Sequence, residues 1–362
     1  MKKLNTAIIG AGKVAHIHAR ALLKIEICDL KAVYNWKKNK AIDFAVEYDL
    51  EAYEDIEEMI LREEIEMVTV CTPHPAHLDC VLAALSAGAH VIVEKPLAVS
   101  LDDCDRMINL AEDRKLNLGM ISQRRLYQPV IRVKQAIDKG KIGHPILGIV
   151  YLFGWRDEEY YKSDPWRGKW ELEGGGVLVN QAPHQLDLFQ WYMGEIDELY
   201  GYWANFNHPF IEVEDTALAI VKFKTGAFGS IMVSNSQHPA LFGKVHVFGS
   251  NGSSIGVQTD GGAMFIAGMS KIEEAPFNDI WTIPGEEKLY QVWKKEDEDF
   301  FQRIDPMLYY HQWQLRDFIE SILDKRKPMI SGVEGRKTVE LFNAIYESNS
   351  TGKPVKFPLR SG

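Results

Sequence analysis

The spacing of apolar residues divides the chain into two unlike parts. Over the first 120 residues, short apolar runs such as 6–9, 67–71 and 90–93 alternate with stretches of helical spacing such as 101–114. Strands that alternate with helices are typical of βαβ units, in which the strands form a parallel sheet. This part is therefore predicted to be an α/β domain.

Strand-like segments dominate the rest of the chain. The predicted strands cover residues 146–153, 199–205, 216–223, 228–234, 244–248 and 254–257. One helix is predicted at 180–193, and two more, at 308–324 and 335–348, close the chain. This pattern indicates an antiparallel or mixed sheet with flanking helices. We therefore expect an α/β domain over residues 1–125 and an α+β domain over residues 126–362.

Composition excludes several classes of protein. Of the 362 residues, 46% are hydrophobic and 25% are charged, which is ordinary for a globular chain. The net charge of -10 argues against a nucleic-acid partner. The four cysteines lack metal-type or disulfide-type spacing, which predicts a reducing cytoplasm. No apolar run approaches the ~20 residues of a membrane span, and the run near Met1 is too short for a signal peptide.

The loop after the first predicted strand carries the pattern G-x-G-x-x-A. Its residues are Gly10, Gly12, Lys13, Val14 and Ala15. The first glycine permits a tight turn, the second lets the backbone approach a pyrophosphate, and the small third residue allows close packing of helix on strand. The N-terminus of the following helix offers N–H groups to the phosphates. The loop therefore predicts a dinucleotide cofactor.

The end of the second predicted strand bears on the choice of cofactor. An Asp or Glu normally stands here to hold the ribose 2′-hydroxyl of NAD, but this chain has Asn35, followed by Trp36, Lys37 and Lys38. An asparagine bonds a hydroxyl without repelling a 2′-phosphate. Either lysine could pair with such a phosphate, or both could form a solvated helix start. We expect Asn35, Trp36 and Lys37 to face NAD or NADP, with NAD slightly favoured.

A lysine follows the predicted strand 90–93, in the sequence Glu94-Lys95-Pro96. The carboxyl ends of parallel strands are where α/β sheets bind their ligands. The proline also keeps Lys95 out of helical backbone angles. Lys95 is thus predicted to lie where a nicotinamide ring would bind, and the alternative is a surface lysine in a turn.

These features together resemble the glucose–fructose oxidoreductase / inositol dehydrogenase (Gfo/Idh/MocA) family over essentially the whole chain. The motifs that carry the resemblance are the glycine loop, Thr72-Pro73, His77, Glu94-Lys95-Pro96, Gly174-Gly175-Gly176, His184 and Asp187. The resemblance implies an N-terminal Rossmann domain and a C-terminal, open, mostly antiparallel sheet that carries substrate and oligomer contacts. It implies that Lys95 contacts the reacting hydroxyl, that His184 is the acid/base, and that Thr72, Pro73, His77 and Glu94 line the cofactor site.

The predicted helix with His184 departs from the family at one position. The family commonly has an aspartate where this chain has Asn180, which is four residues before His184. Asn180 is expected to cap the helix or to bond the substrate hydroxyl in the catalytic site. Asp187 is placed to orient the histidine ring. An amide stabilises an imidazolium far less than a carboxylate does.

An aromatic segment precedes this helix, between residues 155 and 170. Aromatic rings suit the C–H faces of a pyranose, and charged side chains suit its hydroxyls. Substrate contacts are therefore predicted for Arg156, Asp157, Tyr160 and Trp166, and Arg167 is predicted to approach the cofactor. The alternative is a packing role or a subunit interface.

The motifs predict an NAD(P)-dependent dehydrogenase that acts on a ring hydroxyl of a sugar, glycoside or inositol. Residues 166–191 most resemble family branches that oxidise the 3-hydroxyl of glucosides. The alternatives within the family are an NAD-dependent glycosidase and a non-catalytic regulator. No histidine stands among ligands at convincing spacing, so no metal site is predicted. An open sheet favours a homo-oligomer, either a dimer or a tetramer.

Overall fold

The computed structural model describes residues 3–261 and 274–359. Within the first 123 residues, short runs of β-branched and apolar residues form strands, and amphipathic segments between them form helices. These elements are β1 (Leu4–Ile9), α1 (Lys13–Leu22), β2 (Cys28–Tyr34), α2 (Lys38–Tyr48), β3 (Glu51–Tyr53), α3 (Ile56–Arg62), β4 (Met67–Val70), α4 (His77–Ser86), β5 (His90–Val93), α5 (Leu101–Arg114) and β6 (Leu118–Met120).

The six strands pair in the order β3-β2-β1-β4-β5-β6. Every neighbouring pair is parallel, which confirms the predicted α/β fold. Ile9 pairs with Val70, and Val70 pairs with Val93, so β1, β4 and β5 end level with one another. The residues that follow these three strands therefore share one edge of the sheet. Strand β1 has β2 on one side and β4 on the other, so the order of the strands reverses direction at β1. The carboxyl ends of β1 and β4 therefore form a topological switch point.

The remaining elements are the strands of a second sheet and seven further helices that the structure describes. They are α6 (Gln128–Asp138), β7 (Pro145–Phe153), α7 (Glu158–Lys162), α8 (Trp170–Glu173), α9 (Pro183–Met193), β8 (Ile196–Ala204), β9 (Thr216–Phe223), β10 (Phe228–Ser234), β11 (Phe242–Gly249), β12 (Ser254–Gly261), α10 (Leu289–Phe301), α11 (Pro306–Leu323), α12 (Gly332–Thr351) and β13 (Val355–Lys356). The strands pair in the order β12-β11-β7-β10-β9-β8-β13, and all pairs except β7 with β10 are antiparallel. The predicted, mostly antiparallel sheet is confirmed.

Glycines in this sheet let α9 lie close to it. A Cβ added at Gly229 of β10 would come within 2.5 Å of the Phe189 ring, and one added at Gly148 of β7 would come within 2.8 Å of Met193. Phe189 is fully buried. The large side chains of α9 therefore fill space that the glycines leave open, and this packing fixes the helix that carries His184.

Several short or charged elements were not predicted. Helix α10 was missed because its sequence contains six consecutive charged residues, Lys294 to Asp299, which interrupt the apolar spacing. Helix α7 lies in the aromatic segment between residues 155 and 170, for which no helix was predicted. Strands β3 and β13 are too short to show an apolar alternation. Within residues 3–261 and 274–359, no helix is long and apolar enough to cross a bilayer.

The chain divides into two structural units. Among the described residues, the first comprises 3–123 and 306–336, and the second comprises 124–261, 274–305 and 337–359. This differs from the single boundary at 125/126, because α11 returns to the first unit. Its residues Leu315 and Phe318 belong to the same buried cluster as Ile8 and Leu22. Apolar periodicity identifies the buried face of a helix but does not say which sheet covers it.

A buried carboxylate in the second unit holds the triple glycine that precedes α9. Glu214 is fully buried and accepts hydrogen bonds from the N–H groups of Gly176 and Leu178, both at 2.9 Å. The Tyr346 hydroxyl donates a third, also at 2.9 Å. A Cβ added at Gly176 would collide with the Glu214 carbonyl oxygen. Burial raises the pKa of Glu214 to about 7, although its hydrogen bonds act in the opposite direction.

Glu214 should therefore make the stability of the fold depend on pH. The folded-state pKa of about 7 lies above the ordinary value of 4.5, so the contribution of Glu214 is complete below pH 4.5 and is lost as the pH rises through 7. We expect the free energy of unfolding of the wild type to fall by about 2–3 kcal/mol relative to Glu214→Gln between about pH 5 and about pH 8. Urea denaturation at the two pH values measures this difference. The control is Glu212→Gln, at an exposed carboxylate two residues away, and equal pH dependence in wild type and Glu214→Gln would contradict the expectation.

Candidate active site

The glycine loop lies between β1 and α1 in the first unit. Gly10 has φ +104°, and a Cβ there would come within 2.9 Å of the Cys71 carbonyl oxygen, so only glycine fits. A Cβ at Gly12 would meet nothing within 4 Å. Gly12 is the N-cap of α1, and this glycine offers no side chain to bond the N–H groups of the first turn, where Lys13 and Val14 lie. These groups fit a pyrophosphate that approaches the open side of the loop.

The side chain of Asn35 stabilises the turn after β2. Its Oδ1 accepts the Lys37 N–H at 2.9 Å, and the residue is 9% exposed. Trp36 is 72% exposed, and the Lys37 ammonium lies 4.5 Å from the centroid of its ring. The side chain of Asn35 is therefore held in place at the end of the strand, with its amide hydrogens still available to an acceptor. No acidic side chain stands at this position, so a 2′-phosphate meets no repulsion from it.

Two turns at the carboxyl edge of the sheet are joined by a buried histidine. The His77 Nε2 lies 3.0 Å from the Thr72 carbonyl oxygen, and its Nδ1 lies 3.0 Å from the Pro96 carbonyl oxygen. Burial lowers the pKa of His77, and the hydrogen bonds to these carbonyl oxygens oppose that effect. His77 thus ties the Thr72-Pro73 turn to the Lys95-Pro96 turn. Its ring nitrogens face the chain itself, which the motif alone did not indicate.

Glu94 is surrounded by two histidines. His18 and His311 each place Nε2 near Glu94 Oε1, at 2.9 and 3.5 Å respectively. Burial would raise the pKa of Glu94, but the hydrogen bonds from His18 and His311 hold it well below its ordinary value. The three ligand atoms lie within 4.8 Å of one another, a spacing at which a metal ion could be held. Sequence spacing did not reveal this cluster, because its members come from α1, the end of β5 and α11.

In the second unit, Tyr160 is the centre of a hydrogen-bond network. Its hydroxyl receives N–H groups from Arg167 at 2.6 Å, Asn180 at 3.1 Å and Gln181 at 3.0 Å. The guanidinium groups of Arg156 and Arg167 lie 5.1 and 4.3 Å from the centroid of its ring. Tyr160 is 3% exposed, and burial raises its pKa. The hydroxyl thus fixes the Arg167 and Asn180 side chains.

Asn180 does not cap α9, which was one of the two roles considered for it. The N-cap is Ala182, and Asn180 lies in a π-helical turn over Val177–Gln181. Turns of this kind occur frequently at functional sites. The Asn180 amide donates to Glu173 as well as to Tyr160, and Glu173 Oε2 accepts the Gly168 N–H at 2.5 Å. Glu173, a buried carboxylate seven residues before Asn180, carries no motif that would have predicted this contact.

His184 lies in the first turn of α9 and is 6% exposed. Asp187, one turn later, accepts two hydrogen bonds from Arg125, at 2.7 and 2.6 Å. The Arg125 guanidinium lies 5.0 Å from the centroid of the Trp191 ring. Arg125 was not identified from the sequence, because it lies 62 residues before Asp187.

The other residues of the aromatic segment differ in exposure. Arg156 is buried, and its Nη1 donates to the Trp155 carbonyl oxygen at 2.8 Å. Asp157 is exposed and caps α7 by accepting the Tyr160 N–H at 2.8 Å. Trp166 is half-buried, with the Arg167 guanidinium 4.3 Å from its ring centroid. The segment is therefore held by internal contacts, and Asp157 and part of Trp166 are accessible at its surface.

Models of two domains of one family match the chain. The oxidoreductase family with an NAD-binding Rossmann fold matches residues 4–121, and the Gfo/Idh/MocA C-terminal domain matches residues 130–255. The first match agrees with the geometry of the glycine loop and confirms the predicted NAD(P) cofactor.

Similar proteins span nearly the whole chain. Myo-inositol 2-dehydrogenase of Thermotoga maritima is 26% identical over 98% of this chain and 98% of that protein. The scyllo-inositol 2-dehydrogenase (NAD(+)) of Bacillus subtilis is 28% identical over 99% of this chain and 97% of that protein. The WlbA dehydrogenase from Bordetella pertussis, solved in complex with NADH and UDP-GlcNAcA, is 25% identical, with a TM-score of 0.84 over 99% of this chain and 100% of that chain. Together with the two family matches, these similarities establish that the chain belongs to the Gfo/Idh/MocA family of NAD-binding oxidoreductases.

Proposed function

We propose that the protein oxidises a ring hydroxyl of a sugar, glycoside or inositol, or reduces the corresponding ketone. The observation that carries this proposal is the level ending of β1, β4 and β5, which puts the glycine loop and Lys95 at one edge of the parallel sheet. The glycine loop would hold the pyrophosphate of the cofactor at the same edge of the sheet as Lys95. The related inositol dehydrogenases and the UDP-GlcNAcA complex support a polyhydroxylated ring as the substrate.

Two side chains carry out the proton and charge chemistry in this proposal. His184 takes the proton of the reacting hydroxyl on a ring nitrogen, while the carbon–oxygen bond becomes a carbonyl. The Lys95 ammonium stabilises the negative charge that develops on that oxygen. The glycine loop would hold NAD(P), which would supply the acceptor for the hydride and for both electrons of the broken C–H bond. In the reverse direction, His184 returns the proton to the oxygen.

Asn180 is proposed to orient the substrate. Its amide is held by the Tyr160 hydroxyl and by Glu173, so its orientation is fixed before substrate binds. We assign Asn180 a hydrogen bond to the reacting hydroxyl. The Glu173 carboxylate behind the amide supplies part of the negative charge that an aspartate at position 180 would have supplied.

Substrate contacts are assigned to Arg156, Asp157, Tyr160 and Trp166, with Arg167 directed to the cofactor. Asp157 and Trp166 are accessible and suit a hydroxyl and a sugar face respectively. Arg156 and Tyr160 are buried and contribute mainly by holding the surface of the site. A glucoside 3-hydroxyl is the reacting group that we favour within this substrate class.

The substrate class is tested by a screen for cofactor reduction, followed at the nicotinamide absorbance band. The screen covers inositols, free sugars and glycosides, each with NAD and with NADP. Nucleotide extracted from the purified protein is identified in parallel, since a retained cofactor would mask reduction. Turnover of a nitrophenyl glycoside without added cofactor would favour the glycosidase instead. Binding of cofactor with no turnover of any ring compound would favour a regulator.

We also propose a cytoplasmic homo-oligomer, either a dimer or a tetramer. Large apolar side chains on β9 and β10 are exposed, among them Ile220 at 64% and Phe228 at 62%. The four cysteines are buried and unpaired, as in proteins of a reducing compartment. Light scattering gives the mass of the assembly, and a monomer at micromolar concentration would contradict the proposed homo-oligomer.

Replacing either reacting side chain should abolish most of the turnover. We expect His184→Ala and Lys95→Ala each to reduce kcat at least ~100-fold on the substrate that the screen identifies, because each removes a group that acts in the transition state. NADH affinity, measured by fluorescence, should change little. The matched controls are His144→Ala and Lys139→Ala, at exposed positions. Near-normal kcat in either active-site variant would eliminate the mechanism.

Asn35 should govern discrimination between the two cofactors. We expect Asn35→Asp to weaken NADP binding at least ~10-fold and to leave NAD binding unchanged or tighter, since a carboxylate repels the 2′-phosphate and bonds a 2′-hydroxyl. The substitution keeps the oxygen that accepts the Lys37 N–H. Calorimetry gives both dissociation constants. Asn39→Asp adds the same charge in the first turn of α2 as a control, and an unchanged NADP affinity in Asn35→Asp would place that side chain away from the ribose.

A further inference from the structure

Arg156 is a buried cation that forms no ion pair within residues 3–261 and 274–359. The residue is 5% exposed. Its Nη1 donates to the Trp155 carbonyl oxygen at 2.8 Å, and its Nε is buried without a hydrogen-bond partner among the described residues. A buried charge is costly unless a counter-charge and hydrogen-bond acceptors surround it. The site of Arg156 therefore lacks a matching anion from this part of the chain.

The carboxylates between residues 155 and 174 face other groups. Three of them are bonded within the segment: Asp157 to the Tyr160 N–H, Asp164 to the Arg167 guanidinium, and Glu173 to the Gly168 N–H and the Asn180 amide. The other three, Glu158, Glu159 and Glu171, are exposed. Arg167 is thus already paired with a carboxylate, whereas Arg156 has only a carbonyl oxygen and the Tyr160 side chain beside it.

The backbone of Arg156 is fixed on both sides. Its N–H donates to the carbonyl oxygen of Asn235, the residue that follows β10, at 3.2 Å. Its carbonyl oxygen lies 2.7 Å from His208 Nε2, and His208 Nδ1 lies 2.8 Å from the Asp215 carboxylate. Asp215 also accepts two backbone N–H groups, from residues 206 and 207. The guanidinium is therefore carried by a rigid support, as a preorganised binding group requires.

Arg156 lies beside the side chain that holds Asn180. Its guanidinium is 5.1 Å from the centroid of the Tyr160 ring, and the Tyr160 hydroxyl accepts the Asn180 amide at 3.1 Å. One tyrosine side chain thus separates the buried cation from the amide to which we assign the reacting hydroxyl. A tyrosine ring and a pyranose ring are similar in size. A sugar with one hydroxyl at Asn180 would therefore bring a substituent on the far side of its ring toward Arg156.

We propose that Arg156, besides holding the surface of the site, binds a carboxylate of the substrate, which makes the substrate an acidic sugar of the hexuronic acid type. A guanidinium binds a carboxylate through two parallel N–H groups in one plane. Because Nη1 donates to Trp155, the edge formed by Nε and Nη2 is the one that a carboxylate would meet. This inference rests on the proposed function and narrows its substrate class.

A single carboxylate matches the charge of the site better than a phosphate does. One guanidinium is uncompensated, and the second one near Tyr160, that of Arg167, is paired with Asp164 at 3.4 Å. A phosphate monoester carries up to two negative charges and is bound most favourably by several cations together. The single free cation therefore favours the singly charged, planar group.

The test compares sugars that differ only in a carboxylate and a hydroxymethyl group. The pairs are glucuronic acid with glucose and galacturonic acid with galactose, each as the free sugar and as the methyl glycoside. Calorimetry on the protein loaded with NADH gives dissociation constants, and the nicotinamide absorbance with NAD gives kcat/KM. We expect the wild type to bind the acid of at least one pair at least ~10-fold tighter than its neutral partner, because a charge-assisted bond forms to a buried cation.

Substitution of Arg156 should remove this preference. We expect Arg156→Gln to bind the acid no tighter than the neutral sugar, and Arg156→Lys to keep only part of the preference, because lysine retains the charge but not the planar pair of donors. If Arg156→Gln does not fold, Arg156→Lys carries the test. The matched control is Arg303→Gln, at an exposed arginine of the second unit, which loses the same charge and should keep the wild-type preference.

Three results would overturn the inference. They are equal affinity for acid and neutral sugar in every pair, a preference for the acid that persists in both Arg156 variants, and tighter binding of glucose 6-phosphate than of either acid. Oxidation of neutral sugars without any preference for the acids would leave the proposed function intact and remove this inference alone. Conversely, Arg156-dependent binding of an acid without hydride transfer from any sugar would support the carboxylate site and contradict the proposed function.

Discussion

Parallel pairing of β1 with β4 and of β4 with β5 sets the layout of the first unit. The three strands end level, so the segments that follow them lie at one edge of a single sheet. These segments contain the glycine loop, the Thr72 turn and Lys95. Backbone hydrogen bonds hold this register, so the separation of the loop from Lys95 is fixed by the sheet rather than by flexible side chains. A one-residue slip would turn every side chain of a strand to the opposite face.

The turns at this edge still need bracing, since turns lack the regular bonds of the sheet. Buried histidines provide it in two ways. His77 faces carbonyl oxygens on two separate turns and ties them together. His18 and His311 surround Glu94, which in turn accepts the Lys95 N–H. Buried polar groups are costly unless they are paired, so these contacts restrict the turns to few arrangements. Because α11 belongs to the first unit, it contributes His311 to the contact with Glu94 as well as apolar side chains to the buried cluster.

Local features of this chain were readable from its sequence, and long-range ones were not. The glycine loop and Glu94-Lys95-Pro96 are contiguous motifs, and each lies where the pattern of strands and helices put it. By contrast, His311, Glu173 and Arg125 act on residues that are distant along the chain or lack a shared motif. Helix α10 was missed for another reason, since its charged run hides the helical spacing. The cap that was one of two roles considered for Asn180 does not form, because a π-helical turn delays the start of α9.

In the second unit, neighbouring side chains fix the orientation of Asn180. An amide at position 180 brings no charge, but it donates to Glu173, whose carboxylate is buried and also held by the Gly168 N–H. The same amide donates to Tyr160, whose hydroxyl is shared with Arg167. A side chain with two acceptors on its amide nitrogen has little rotational freedom, so its oxygen is left with a fixed direction. The Asn180 side chain is therefore held in one orientation, with the buried Glu173 carboxylate beside its amide.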